Sequence, residues 1–305
     1  MELELEVNPS NVEDEYLSGL NRSFGHWGDR SLYQWDFERE VGARRADLMV
    51  LRDQGRIVAG SAVSYRTVRD RDDEFLIGIM SGSWTLPEAR GRGVFSRVIG
   101  ESRRLVTSRD GTVLIAFVTH DNASRRRLVA AGCLEVPTWY VASNADTPLP
   151  ADAPKVEPDP ATGEELFHAY RRWQEEGTGA HVVYPSVETW ASQYLGRPLP
   201  VERLAAAGCR CLIEHAAASD RVLWIGGRDP SAAVRALLGR AHTAGRQLFV
   251  FTAQADLAPA GIDLGMAAKP GSITVLDALD GPAGGPSPGS ASLPAAWRLQ
   301  GGDRA

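Results

Sequence analysis

Residues 75–119 constrain the fold more than any other stretch. Phe75–Leu86 reads as one long strand, and Val94–Val106 as a helix. That helix puts Val94, Phe95, Val98, Ile99, Leu105 and Val106 on one face and Arg97, Glu101, Arg103 and Arg104 mainly on the other. After Gly111 comes Val113–Thr119, a wholly apolar strand that must be covered on both faces. Strand, crossover helix and buried strand make the βαβ unit of an α/β protein. The expected fold class is therefore α/β, a mixed central sheet with flanking helices. The neighbouring segments agree. Leu3–Val7 reads as a strand and Val12–Leu20 as a helix with Ser10 or Asn11 as its cap. Leu48–Arg52 and Ile57–Tyr65 read as strands around the turn Asp53-Gln54-Gly55, and Ala123–Ala131 as a helix stopped by Gly132.

A chain of 305 residues is long enough for two such domains. Prolines and acids crowd residues 146–163 too densely for a helix or a central strand, which makes this stretch the expected linker. It separates a domain over 1–145 from a second over 164–280, with a Gly/Pro-rich tail over 281–305. In the second half, helices are expected at Glu164–Glu175, Ser186–Leu195 and Ser231–Ala244. Strands are expected at Cys209–His215, Arg221–Ile225, Gln247–Thr252 and Ile273–Leu276. Strand 221–225, helix 231–244 and strand 247–252 echo the order of 75–119. The echo is either a degenerate duplication or the general rhythm of α/β chains.

Charge and cysteine exclude some functions. The net charge of −6 argues against a nucleic-acid footprint spread over the surface. No window approaches about 18 uninterrupted apolar residues, so no membrane span is expected. Met1–Val7 alternates apolar and acidic residues and reads as a strand rather than a leader peptide. Cys133, Cys209 and Cys211 are odd in number and offer no second pair for a metal, so no metal is expected and a reducing cytoplasm is.

Chemistry concentrates at the junction Pro87-Glu-Ala-Arg90-Gly91-Arg92-Gly93-Val94-Phe95. The glycines remove side chains where the chain enters a helix, whose first amides and positive dipole end suit an anion. Arg90 and Arg92 add charge. The pattern is neither a Walker loop nor a three-glycine dinucleotide fingerprint; it reads as a pyrophosphate cradle. Pro-x-x-Arg-Gly-x-Gly between a strand and a helix resembles the acyl-CoA-binding motif of the GNAT superfamily of N-acyltransferases. Phe95 stands where that motif has a small residue. A second stretch, Asn122-Ala-Ser124 to Gly132, resembles the family's helix beside the cofactor arm, with Leu128 in place of the usual tyrosine acid.

The resemblance implies a fold of two GNAT-like α/β domains, the second degenerate because it lacks the cofactor turn. Acetyl-CoA or a longer acyl-CoA is the implied co-substrate. Thr85, Leu86, Arg90, Gly91, Arg92, Gly93, Val94, Phe95, Asn122, Ser124 and Arg127 are the implied cofactor-binding residues. Arg127 belongs to the charge run Arg125–Arg127, which is either a solvated face or a phosphate contact. The family often places a glutamate on the strand before the turn; Phe75–Trp84 has none, so His120 and then His181 are the candidate bases. Trp27, Tyr33, Trp35 and Trp173, in two aromatic-rich segments, are candidates for the acceptor site or equally for a core. The tandem organisation and the Trp297–Asp303 ending look like extended GNAT proteins that modify small molecules, among them aminosugars of glycopeptide antibiotics. The resulting expectation is an acyl-CoA-dependent N-acyltransferase acting on a small-molecule amine. The alternatives are a protein or peptide N-acetyltransferase and a non-catalytic acyl-CoA sensor.

Overall fold

The computed structural model describes residues 3–42, 44–254, 257–279, 294 and 296–304. They fall into two compact units, one drawn from residues 3–135 and 273–279 and the other from 136–272 and 294–304. The expected linker, 146–163, lies within the second unit. The Gly281–Ser292 loop expected in the tail falls outside the described residues, whereas the described residues of that tail, 294 and 296–304, belong to the second unit.

In the first unit the order is β1 (Glu4–Val7), α1 (Glu13–Phe24), α2 (Arg30–Tyr33), a π-turn (Gln34–Glu38), β2 (Asp47–Asp53), β3 (Arg56–Asp70), β4 (Asp73–Thr85), α3 (Val94–Ser108), β5 (Val113–Thr119) and α4 (Ala123–Ala130). Strands β1 to β4 pair antiparallel in sequence, and β5 adds parallel to β4 through the crossover helix α3. Period-two alternation sends neighbours to opposite layers. Leu48 and Val50 face Tyr16, Leu20, Tyr33 and Phe37 of the α1–α2 layer. Met49 and Leu51 face Val94, Val98, Ile99 and Val106 of the α3 layer. A bulge between Gly60 and Ala62 interrupts the β3–β4 ladder.

The second unit holds β6 (Leu134–Ala142), β7 (Val156–Pro158), α5 (Gly163–Glu175), β8 (His181–Val183), α6 (Val187–Tyr194), β9 (Val201–Ala206), β10 (Cys209–His215), β11 (Ser219–Gly227), α7 (Pro230–Thr243), β12 (Gln247–Thr252), α8 (Leu257–Asp263) and β13 (Ala267–Asp277), whose later half belongs to the first unit. Its sheet runs β6-β12-β11-β10-β9-β7. Cys209 and Cys211 sit side by side in the core under α7 as free thiols. The short β7 occupies the stretch read as linker: Val156, Glu157 and Pro158 stand in register with Ala206, Ala205 and Leu204 of β9, and Pro158 is the last residue of this edge strand, a position that tolerates proline. Among the described residues no helix is long and apolar enough to cross a membrane, and no group of three or more His, Cys, Asp or Glu is placed to hold a metal.

Candidate functional site

The parallel ladder between β4 and β5 spans Ile77–Ile79 and Val113–Ile115, while β4 runs on to Thr85. Beyond the ladder the two strands are free to part. At the end of β4 a 3-10 turn, Pro87–Ala89, leads to Arg90, whose Nε donates to Thr85 O at 3.2 Å. Gly91 and Gly93 then adopt φ of 78° and 75°, the left-handed region that a side chain resists. A Cβ at either would meet nothing within 4 Å, so the glycines also leave the approach open.

Gly93 caps α3 without any side-chain acceptor. The first backbone bond across the cap runs from Arg97 N to Gly93 O at 3.1 Å, so the amides of Val94, Phe95 and Ser96 have no partner within the helix. These groups line a cavity of about 330 Å³. Arg90 and Arg127 bring positive charge to it; Ser83, Trp84 and Thr85 of β4 form one wall, and Ala123 and Ser124 of α4 another. The Thr85 hydroxyl oxygen is buried with no hydrogen-bond partner. None of the described lining residues is a carboxylate or a histidine.

Of the residues expected at the cofactor, Thr85, Arg90, Gly91, Gly93, Val94, Phe95, Ser124 and Arg127 meet at this cavity. The Phe95 ring also packs partly buried against the α3-side core, which explains how a bulky residue fits the turn. Leu86 instead lies in the α1-side core, and its amide donates to Val58 O at 2.9 Å. Arg92 is directed towards Asp53, 4.0 Å away. Asn122 caps α4, accepting from Ser124 N at 3.0 Å and Ser124 Oγ at 2.8 Å.

His120 follows β5 at an exposed position, and His181 lies in the second unit, its Nδ1 3.3 Å from Gly179 O. Trp27 stacks on Phe37 at 5.5 Å, and Tyr33 is buried in the same cluster. Trp35 is buried with the Arg39 guanidinium 3.6 Å over its ring. Trp173, in the second unit, lies under Arg298 at 3.9 Å.

Two features escape sequence reasoning. Tyr33 and Phe37 border a second cavity of about 550 Å³, floored by Asp47. Asp47 accepts from Tyr65 at 2.6 Å, Asn8 at 2.8 Å and Arg109 at 3.0 and 2.8 Å. Burial opposes its ionisation, yet those donors together hold the carboxyl below its ordinary value. Its four members lie far apart in sequence, so no local pattern announces the network. The other feature is Asp303, fully buried among three tyrosine hydroxyls of the second unit.

No family model matches the sequence, and no curated protein matches it. Solved structures do. A probable N-acyltransferase from Enterococcus faecalis V583, 13% identical, aligns over 91% of this chain and 73% of its own with a TM-score of 0.63. A tandem GNAT protein from the clavulanic acid biosynthesis pathway, 15% identical, aligns over 94% and 100% with a TM-score of 0.63. Saccharomyces cerevisiae N-myristoyltransferase, 9% identical, aligns over 91% and 79% with the same score. At such identities the likeness is one of fold. The chain is built as two GNAT-like α/β units, of which the first alone carries the glycine turn.

Proposed function

We propose that the protein is an acyl-CoA-dependent N-acyltransferase that modifies the amine of a small molecule. One observation carries the reading: an uncapped helix N-terminus, entered through two left-handed glycines, opens on a cavity at the parted end of β4. The chemistry of the lining fits the donor. Free amides and Arg90 and Arg127 suit the pyrophosphate, and the unpartnered Thr85 hydroxyl suits an amide of the pantetheine arm. When bound, the CoA thioester supplies an activated acyl carbon. The chain's residues fix the phosphates, line the arm and, through Ser83, Trp84 and Thr85, wall the cavity.

A simple alkylamine is only about one part in a thousand neutral at pH 7. With neither carboxylate nor histidine among the described lining residues, the proton falls to His120 or His181, or the acceptor has a low pKa. The second unit is proposed to shape acceptor recognition, and an aminosugar-bearing secondary metabolite of glycopeptide type is the proposed acceptor, in the cytoplasm. The same bare lining favours a second reading, an acyl-CoA sensor without catalysis. Free-thiol release from acetyl-CoA across a panel of amines separates the two. Turnover with at least one amine is expected, whereas binding without turnover on any amine overturns the enzyme in favour of the sensor.

A further inference from the structure

In the second unit, β11 and β12 pair in parallel over Ser219–Val222 and Gln247–Val250, and β11 then continues to Gly227. The chain's own C-terminal segment lies along that continuation. Ile225 N donates to Gln300 Oε1 at 2.7 Å, and Gln300 Nε2 donates to Ile225 O at 2.9 Å. One primary amide thus satisfies both backbone groups of a strand residue, as a neighbouring strand would. Gln300 also forms an antiparallel bridge with Thr252 of β12, so a single residue reaches both strands.

The residues that follow are equally particular. A Cβ on Gly301 would come within 2.3 Å of Val222 O, and one on Gly302 within 2.1 Å of the Tyr194 ring. Asp303 Oδ1 accepts from the hydroxyls of Tyr194 at 2.8 Å and of Tyr170 and Tyr184 at 3.1 Å, while Oδ2 accepts from Gln300 N at 3.1 Å. Trp297 and Leu299 are buried beside them.

We propose that residues 297–304 are a resident peptide ligand of the second unit. They occupy a slot between the parted strands, recognised through amide pairing at Ile225 and capture of the Asp303 carboxylate by three tyrosines. The slot takes an extended, amide-bearing chain, and its own strap fills it. That this shuts out an acyl-CoA donor rests on the proposed function; the peptide recognition does not.

In the full chain, Gln300→Ala leaves Ile225 N–H and C=O without partners, and exchange of the Ile225 amide should quicken by about tenfold or more. Unchanged protection there overturns the proposal. A chain ending at residue 293, given a synthetic peptide of residues 294–305, should bind it saturably at one per chain. The same peptide carrying Gln300→Ala or Asp303→Ala should bind at least about tenfold more weakly. A folded truncated chain that ignores the peptide, or takes all three peptides equally, contradicts the strap as a ligand. If truncation prevents folding, the amide-exchange result decides. Failure of the full chain to bind acetyl-CoA would strike the donor reading and leave these outcomes untouched.

Discussion

Helices α3 and α7 hold corresponding places in the two units, each following a strand and preceding its parallel neighbour, but their N-termini are chemically opposite. The cap of α3 is Gly93, left-handed and without a side chain, so the dipole end faces a cavity. The cap of α7 is Asp229, whose Oδ1 accepts from Ala232 N at 2.9 Å, with Pro230 at the first helical position. A carboxylate already sits where an anionic ligand would bind, and it would repel a phosphate. Beyond the paired residues the contrast continues. β4 borders an open cavity, and β11 borders the chain's own Gln300. One architecture supports a ligand site when its polar groups are left unmatched and a folded core when its own side chains match them.

Breaking the matched side should cost the most stability. Asp303→Ala leaves three tyrosine hydroxyls and Gln300 N without their acceptor, and should destabilise the second unit by about 3 kcal/mol or more. Thermal unfolding measures this, with acetyl-CoA affinity unchanged. On the open side, Gly93→Val forces a branched side chain into φ of 75° and misaligns the α3 amides. Losing one or two charge-assisted hydrogen bonds to the proposed donor should weaken acetyl-CoA binding about a hundredfold by equilibrium titration.

A smaller effect tests whether the first unit's other polar network stands apart from the proposed donor site. Asp47→Asn removes the charge that Arg109 grips and should cost about 1.5 kcal/mol near neutral pH, with acetyl-CoA affinity unaltered. Because the folded carboxyl ionises below its ordinary 3.8, the wild-type advantage is complete above that pH. It fades as pH falls through the lowered folded value, so the two unfolding curves should converge in acid. The smallest change sharpens the comparison itself. Asp229→Ala removes the α7 cap and should cost about 1 kcal/mol, but gives the second unit no donor binding because Gln300 still fills the slot.

Short-range patterns carried the sequence reading: the βαβ rhythm of 75–119, and glycines whose spacing announces a helix entered through left-handed turns. Eight of the eleven residues expected at the cofactor line one cavity. Leu86, Arg92 and Asn122 face elsewhere because strand alternation, an ion pair and a helix cap set their directions. Strand β6 was not legible, since Pro137 interrupts its pattern, and the π-turn at Gln34–Glu38 blurs a helical period. The aromatic segments read equally as acceptor wall or core. Trp27, Tyr33 and Trp35 pack with Phe37 or Arg39, and Tyr33 also reaches the second cavity. Gln300 and Asp303 sit in an ending that looked like a tail, because the strands and tyrosines that hold them lie between Tyr170 and Thr252, up to 133 residues earlier.

The central claim is that the turn at Gly91–Gly93 is the donor site and that its counterpart at Asp229 is not. Calorimetric titration of the full chain with acetyl-CoA tests it most directly. The account predicts one equivalent bound, kept in Asp229→Ala and weakened about a hundredfold in Gly93→Val. Two equivalents, or binding that survives Gly93→Val undiminished, would contradict it.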